Sequence, residues 1–234
     1  MNCVAATVVA VRDAEASYAL IDDAVHVAFL QQECRIYGSP EGTVPAASSM
    51  PRRLRLSLEE LAVGVTNGFL RLEASTSSSS GNELIANEGQ TQVQEITQEL
   101  MGFGQFSESS ESVTWRLSPQ RHARLRVFRD LWERGYTVTF GSKFGADFLI
   151  YKDDPKRAHA VALIVVKGYK EEFARVDVVS FCRVAKMVKK QLMFACVRRC
   201  EERVAEEAGA ATDSVVYISL SHALLVSRQE ECDE

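Results

Sequence analysis

Residues 136–166 read YTVTFGSKFGADFLIYKDDPKRAHAVALIVV, and this stretch decides the fold. Tyr136 to Phe140 alternates as a strand does, Gly141 to Gly145 supplies a tight connection, and Asp147 to Tyr151 is a second strand. Ala160 to Val166 is apolar almost throughout, as a buried third strand requires. On the N-terminal side, Ser118 is placed to cap a helix with Pro119 at its first position and Leu125, Phe128, Leu131 and Trp132 inward, ended by Gly135. On the C-terminal side, Asp177 is expected to cap a helix reaching about Lys189, with Val178, Phe181, Ala185 and Val188 on its inner side. Leu192 to Val197 and Val215 to Leu220 supply further strands around the glutamate-rich segment Glu201 to Asp213. The sum is a mixed sheet flanked by helices, an α/β or α+β domain of about 110 residues.

Further out, Cys3 to Val11 is a β-branched and alanine-rich run, and Ala19 to Gln32 reads as a helix with Leu20, Ala24, Val27, Ala28 and Leu30 on its apolar positions. Pro40, Pro45 and Pro51 punctuate a loop. Ser57 followed by Glu60 forms a capping box that opens a helix over Leu58 to Thr66, closed by Gly68, and Phe69 to Leu72 is a short strand. Residues 1–73 are thus expected to form a small α+β module. Residues 74–115, with serine-rich runs on either side of a weakly helical patch at Gln92 to Met101, read as a flexible serine/glutamate-rich linker. Residues 116–228 then form the second domain and 229–234 an acidic tail.

The charge of -5 conceals a division along the chain. Met1 to Trp115 carries 6 basic against 15 acidic residues, Arg116 to Arg228 carries 21 against 13, and the last six residues carry 0 against 4. A basic segment in an acidic protein points to a phosphate-bearing partner as much as to a solvated face. No apolar run is long enough to span a membrane, and Met1 to Val11 lacks the pattern of a secretory signal, which suggests the cytosol or nucleus. The six cysteines form no Cys-x-x-Cys pair, so neither a zinc site nor a disulfide framework is expected.

The stretch from Gly141 to Pro155, with Arg157 and His159 after it, resembles the signature of tRNA-splicing endonuclease catalytic subunits. The helix ending at Gly135 and the strand Val215 to Leu220 are similar to that family's own, so the resemblance covers Arg116 to Leu225. It implies a restriction-endonuclease-like nuclease fold and an active site of Tyr151, His159 and Lys190, the histidine eight positions after the tyrosine and the lysine at a helix terminus. It further implies that Arg183 and the residue at 222, here His222 where an aromatic ring is usual, stack on a bulged base.

The three residue types suit RNA cleavage without a metal or other cofactor. The ribose 2′-OH must attack its own phosphorus in line with the departing 5′ oxygen, which calls for a base, an acid and a cation. His159 can carry a proton at neutral pH and is the candidate acid; Lys190 would stabilise the phosphorane; Tyr151 would act as base or position the hydroxyl. Each residue also has an ordinary reading: a packing tyrosine, a structural histidine, and a lysine near a helix C-terminus where cations are favoured. A magnesium-dependent site built on Asp147 is disfavoured, because Val165-Val166-Lys167 has valine where an acidic ligand would stand two positions before the lysine. Asp147 reads instead as a residue ordering the Gly141 to Gly145 turn, and Asp153 and Asp154 as turn residues before Pro155.

The resemblance therefore implies a metal-independent RNA endonuclease subunit that cuts precursor tRNA at the 3′ splice site, leaving a 2′,3′-cyclic phosphate and a 5′-OH. It implies a heterotetramer in which a non-catalytic subunit pairs with each catalytic one through C-terminal strands, acting in the nucleus or alternatively the cytoplasm. A non-catalytic structural subunit of the same complex and an RNA-binding module of another RNA-processing assembly are the competing readings.

Overall fold

The computed structural model describes residues 3–9, 17–41, 53–74, 83–101, 117–198 and 214–221. In chain order these form β1 (Val4–Val9), β2 (Tyr18–Ile21), α1 (Ala24–Gln32), β3 (Ser39–Pro40), β4 (Leu54–Leu56), α2 (Leu58–Thr66), β5 (Leu70–Ala74) and α3 (Glu83–Met101). There follow α4 (Pro119–Glu133), β6 (Thr137–Phe140), a 3-10 turn (Ser142–Phe144), β7 (Phe148–Tyr151), β8 (Ala162–Lys167), α5 (Arg175–Met187), β9 (Gln191–Arg198) and β10 (Ser214–Leu220). The protein is mixed α/β, with two five-stranded mixed sheets ordered β3-β4-β2-β1-β5 and β10-β9-β8-β7-β6. In the first sheet β1 and β5 run parallel; in the second only β8 and β9 do, joined by the crossover that contains α5.

Two of the three capping signals hold. Ser57 accepts the Glu60 N–H while the Glu60 carboxylate takes the Ser57 N–H, and Ser118 accepts the Arg121 N–H ahead of Pro119. The expected helix over Ala19 to Gln32 is instead a strand and a shorter helix. Ala19 and Ile21 are both buried, on the alternate-residue period of β2, and the Asp23 side chain accepts the Val25 N–H to start α1 afresh. Strand β4, unannounced by the sequence reading, pairs with β2 and buries Leu54 and Leu56. The stretch read as a flexible linker holds the 19-residue α3, longer than the Gln92 to Met101 patch. Ile96 and Leu100 of α3 are fully buried, with Val93 packed against the same core, so one face of the helix is anchored. Helix α5 begins at Arg175 after Ala174, which makes no side-chain cap; Asp177 lies inside its first turn, where its charge suits the helix N-terminus.

The second sheet is covered on both faces. Val138, Phe148, Ile150, Ala162, Ile164 and Ala195 share a core with Leu125 and Phe128 of α4. Leu149, Leu163, Val165, Leu192 and Phe194 form a separate cluster with Ala185 and Phe181 of α5. Phe148 sits edge-on to Phe128 with ring centroids 5.5 Å apart. The α4-side core continues through α2 and α3 into the first sheet, so buried side chains run unbroken from Val4 to Ala195.

Glu60 is nearly inaccessible and also accepts the Gly38 N–H at 2.6 Å. Burial, only partly countered by those hydrogen bonds, pushes its carboxyl up to about 7. A folded-state value above the ordinary one favours the fold when the group is protonated. That contribution is whole below about pH 4.5 and is lost as pH rises through 7. Relative to wild type, Glu60→Gln should gain stability between pH 4.5 and 7 by about 3 kcal/mol and then level off. Urea unfolding of both proteins across that range measures this; a pH-independent difference would contradict it.

Candidate active site

Tyr151 ends β7 opposite Thr137, and as an odd-numbered position on that strand it is half-buried against the α5-side cluster. The chain then turns through 152–158. The Asp154 backbone carbonyl accepts the N–H groups of Arg157 and Ala158 at 2.9 Å each, and its carboxylate accepts the Lys156 N–H at 2.8 Å. His159 follows this turn with its side chain exposed, and the buried Ala160 leads into β8. The Val161 N–H donates to the Ile150 carbonyl at 2.8 Å, which sets the residues beside His159 next to the end of β7.

Lys190 arrives from the other direction. Helix α5 closes with the Lys189 N–H on the Lys186 carbonyl and the Lys190 N–H on the Ala185 carbonyl, while Lys189 adopts the left-handed region at φ 53°. This is the Schellman pattern, usually glycine at the left-handed position. It reverses the chain so that Lys190 immediately precedes β9, on the same alternation as Leu192 and Phe194. The Lys190 ammonium donates to the Ala160 carbonyl at 3.0 Å, and the Gln191 N–H to the Val161 carbonyl at 3.1 Å. Tyr151, His159 and Lys190 thus gather at one end of the second sheet: the exit of β7, the entrance of β8 and the entrance of β9. One of the ammonium's three donors is committed to Ala160.

Arg183 is exposed on α5, and among the described residues no hydrogen bond or ion pair joins it to these three. His222 lies outside the described residues. Asp147 is engaged structurally. One carboxylate oxygen takes the Val166 N–H at 2.7 Å and the other the Arg124 guanidinium; its carbonyl takes the Gly141 N–H at 3.1 Å. It therefore orders the turn after β6 as the sequence suggests and also binds β8. A Cβ at Gly141 would meet Ala146 at 3.0 Å, and Gly145 has φ +70°, so a side chain would be crowded at one end of that turn and strained at the other. Among the described residues no three His, Cys, Asp or Glu side chains come together as a metal site would need.

Two features escaped the sequence reading. The Tyr37 hydroxyl donates to the Asp154 carboxylate, and Lys156 donates to Gln31 at 2.9 Å, so the first sheet's surroundings reach the turn before His159. Arg121 and Arg124 both meet the fully buried Glu59. No local pattern announces contacts between residues so distant in the chain.

The sheet and its covering helices define the class: a mixed α/β domain with Tyr151, His159 and Lys190 placed at one end of its second sheet. Residues 122–204 match the family described as tRNA intron endonuclease, catalytic C-terminal domain. The chain is 38% identical over 87 residues to a tRNA-splicing endonuclease of Methanopyrus kandleri, covering 37% of this chain and 49% of that protein. It is 37% identical over 75 residues to the mouse (Mus musculus) tRNA-splicing endonuclease subunit Sen34, covering 32% of this chain and 24% of that one. A Saccharolobus islandicus tRNA-splicing endonuclease is 38% identical over 79 residues, 34% of this chain and 43% of its own. The chain spans half or less of the length of these relatives, and the likeness is one of catalytic domains.

If Asp147 is a structural clamp, Asp147→Ala should lower stability by roughly 2–3 kcal/mol, since it strips Arg124 and the Val166 N–H of a partly buried partner. Chemical denaturation checks this; a variant as stable as wild type would contradict the clamp.

Proposed function

We propose that this chain is a catalytic subunit of a tRNA-splicing endonuclease and cleaves precursor tRNA at the 3′ splice site. The observation that carries the reading is the Lys190–Ala160 hydrogen bond, which puts an ammonium beside the residue following His159 at the sheet end where Tyr151 also lies. The match of residues 122–204 to an endonuclease catalytic domain supports it, and the likeness to the mouse subunit supports the choice of the eukaryotic 3′-cutting type. The catalytic unit would run over 116–228, preceded by the module of 1–73 and the segment 74–115, with 229–234 as tail.

In the reaction, Tyr151 takes or orients the 2′-OH proton as the oxygen attacks phosphorus. Lys190 faces the non-bridging oxygens as negative charge accumulates, and His159 protonates the departing 5′ oxygen. The bond to the 5′ oxygen breaks as the bond from the 2′ oxygen forms, leaving a 2′,3′-cyclic phosphate and a 5′-OH. No metal or cofactor enters. Arg183 and His222 would clasp a bulged base. Edge strand β10, paired only with β9 among the described residues and exposing Ile218, offers backbone groups to a non-catalytic partner, in keeping with a heterotetramer. The nucleus is the proposed compartment, the cytoplasm the alternative.

Single-turnover cleavage of intron-containing precursor by the assembled complex tests the reading. His159→Ala should slow cleavage by 10²–10⁴-fold, EDTA should leave it unchanged, and the products should carry the cyclic phosphate. Undiminished cleavage by the variant, or loss on chelation, would refute the mechanism.

A further inference from the structure

We propose that Tyr37 is a positioning residue for cleavage, its hydroxyl holding Asp154 and thereby fixing the turn that presents His159. The inference rests on the reading of His159 as the general acid. Asp154 is the node of that turn: its carbonyl collects the N–H groups of Arg157 and Ala158, and its carboxylate collects the N–H of Lys156. From outside the turn, the Tyr37 hydroxyl donates to the same carboxylate. Tyr37 is itself anchored, because the buried Gln31 donates its amide to the Tyr37 carbonyl at 3.0 Å and accepts the Lys156 ammonium at 2.9 Å. Gln31 and Tyr37 therefore bind the turn at two points.

His159 is exposed. Its orientation depends on the backbone at either side. The carbonyl of Ala160 after it is held by Lys190, and the turn before it is held through Asp154. Removing either anchor would spread the imidazole over poses that do not reach the leaving oxygen, a loss borne by the chemical step more than by RNA binding. The hydrogen bond persists over the neutral range. Burial and the adjacent carboxylate raise Tyr37 far above the usual phenol range, keeping it a donor, while the Tyr37 hydroxyl and the Lys156 N–H hold the Asp154 carboxyl below its ordinary value.

The test uses the full chain assembled with its partner subunits and intron-containing precursor tRNA, with cleavage measured at saturating and subsaturating enzyme. Tyr37→Phe keeps the ring and removes the hydroxyl. It should lower the saturating rate roughly tenfold and leave RNA affinity within about twofold, with the unfolding midpoint nearly unchanged. Asp154→Ala should lose at least as much, and adding Tyr37→Phe to it should cost nothing more. Asp154→Asn, which retains an acceptor for the hydroxyl, should recover most of the rate. A wild-type saturating rate in Tyr37→Phe, or a loss confined to RNA affinity or folded fraction, would overturn the proposal. His159→Ala run in parallel separates the two failures: inactive His159→Ala beside fully active Tyr37→Phe sinks only the positioning role, whereas an active His159→Ala sinks both.

Discussion

Arg124 holds a carboxylate on each side. Its guanidinium meets Glu59 of α2 at 3.1 Å and Asp147 at the start of β7, and its charge lies over the Phe148 ring, 4.9 Å from the centroid. Glu59 is fully inaccessible, and an isolated carboxylate there would be severely destabilising, so α2 is compatible with this packing only while α4 supplies Arg121 and Arg124. Asp147 in turn fixes the Gly141 turn and the β8 backbone. One side chain thus ties the helix on the first sheet to the strands that carry Tyr151 and receive His159. The planar guanidinium suits this task, since it presents several donors in a fixed geometry where an ammonium would offer only a point charge.

Around that ion network the two sheets are stitched by groups of different character. Trp132 at the end of α4 donates its indole N–H to the Cys34 carbonyl at 2.9 Å, and Arg35 lies over the Trp132 ring while donating to the Tyr136 carbonyl at 3.2 Å. Residues 31–37 therefore run along the second sheet's end of the molecule, from Trp132 to the turn before His159. The first module serves as a brace for the loop at which the chemistry is proposed to occur.

What the sequence made legible was local. The Ser57–Glu60 box and the Ser118–Pro119 start are set by side chains within three residues of the groups they satisfy, and both helices begin there. The strands from Thr137 to Lys167 were legible because alternation and an unbroken apolar run each have one good structural answer when helices cover both faces. Ala19 to Gln32 misled because its apolar spacing fits a helix almost as well, and the pairing of β2 with β1 and β4 is a long-range fact that overrode it. Helix α3 was understated because its polar face and serine-rich flanks look like linker; only burial of Ile96 and Leu100 by distant partners selects it. The resemblance supplied Tyr151 and Lys190 as candidates, and only their places at a strand end and a helix end were legible in the residues themselves, whereas Tyr37 and Asp154 are 117 residues apart and share no pattern.

The topology explains why such residues could assemble at all. In a sheet with antiparallel β7 and β8 but parallel β8 and β9, the exit of β7 and the entrances of β8 and β9 fall at the same end. A loop and a helix terminus then converge there without leaving the scaffold. Lys190 depends on this convergence most. It needs α5 to reverse within two residues, and Lys189 adopts a left-handed conformation that glycine would enter more easily. The lysine side chain keeps a second cation beside Lys190, where a glycine would give a more relaxed helix terminus and one positive charge fewer.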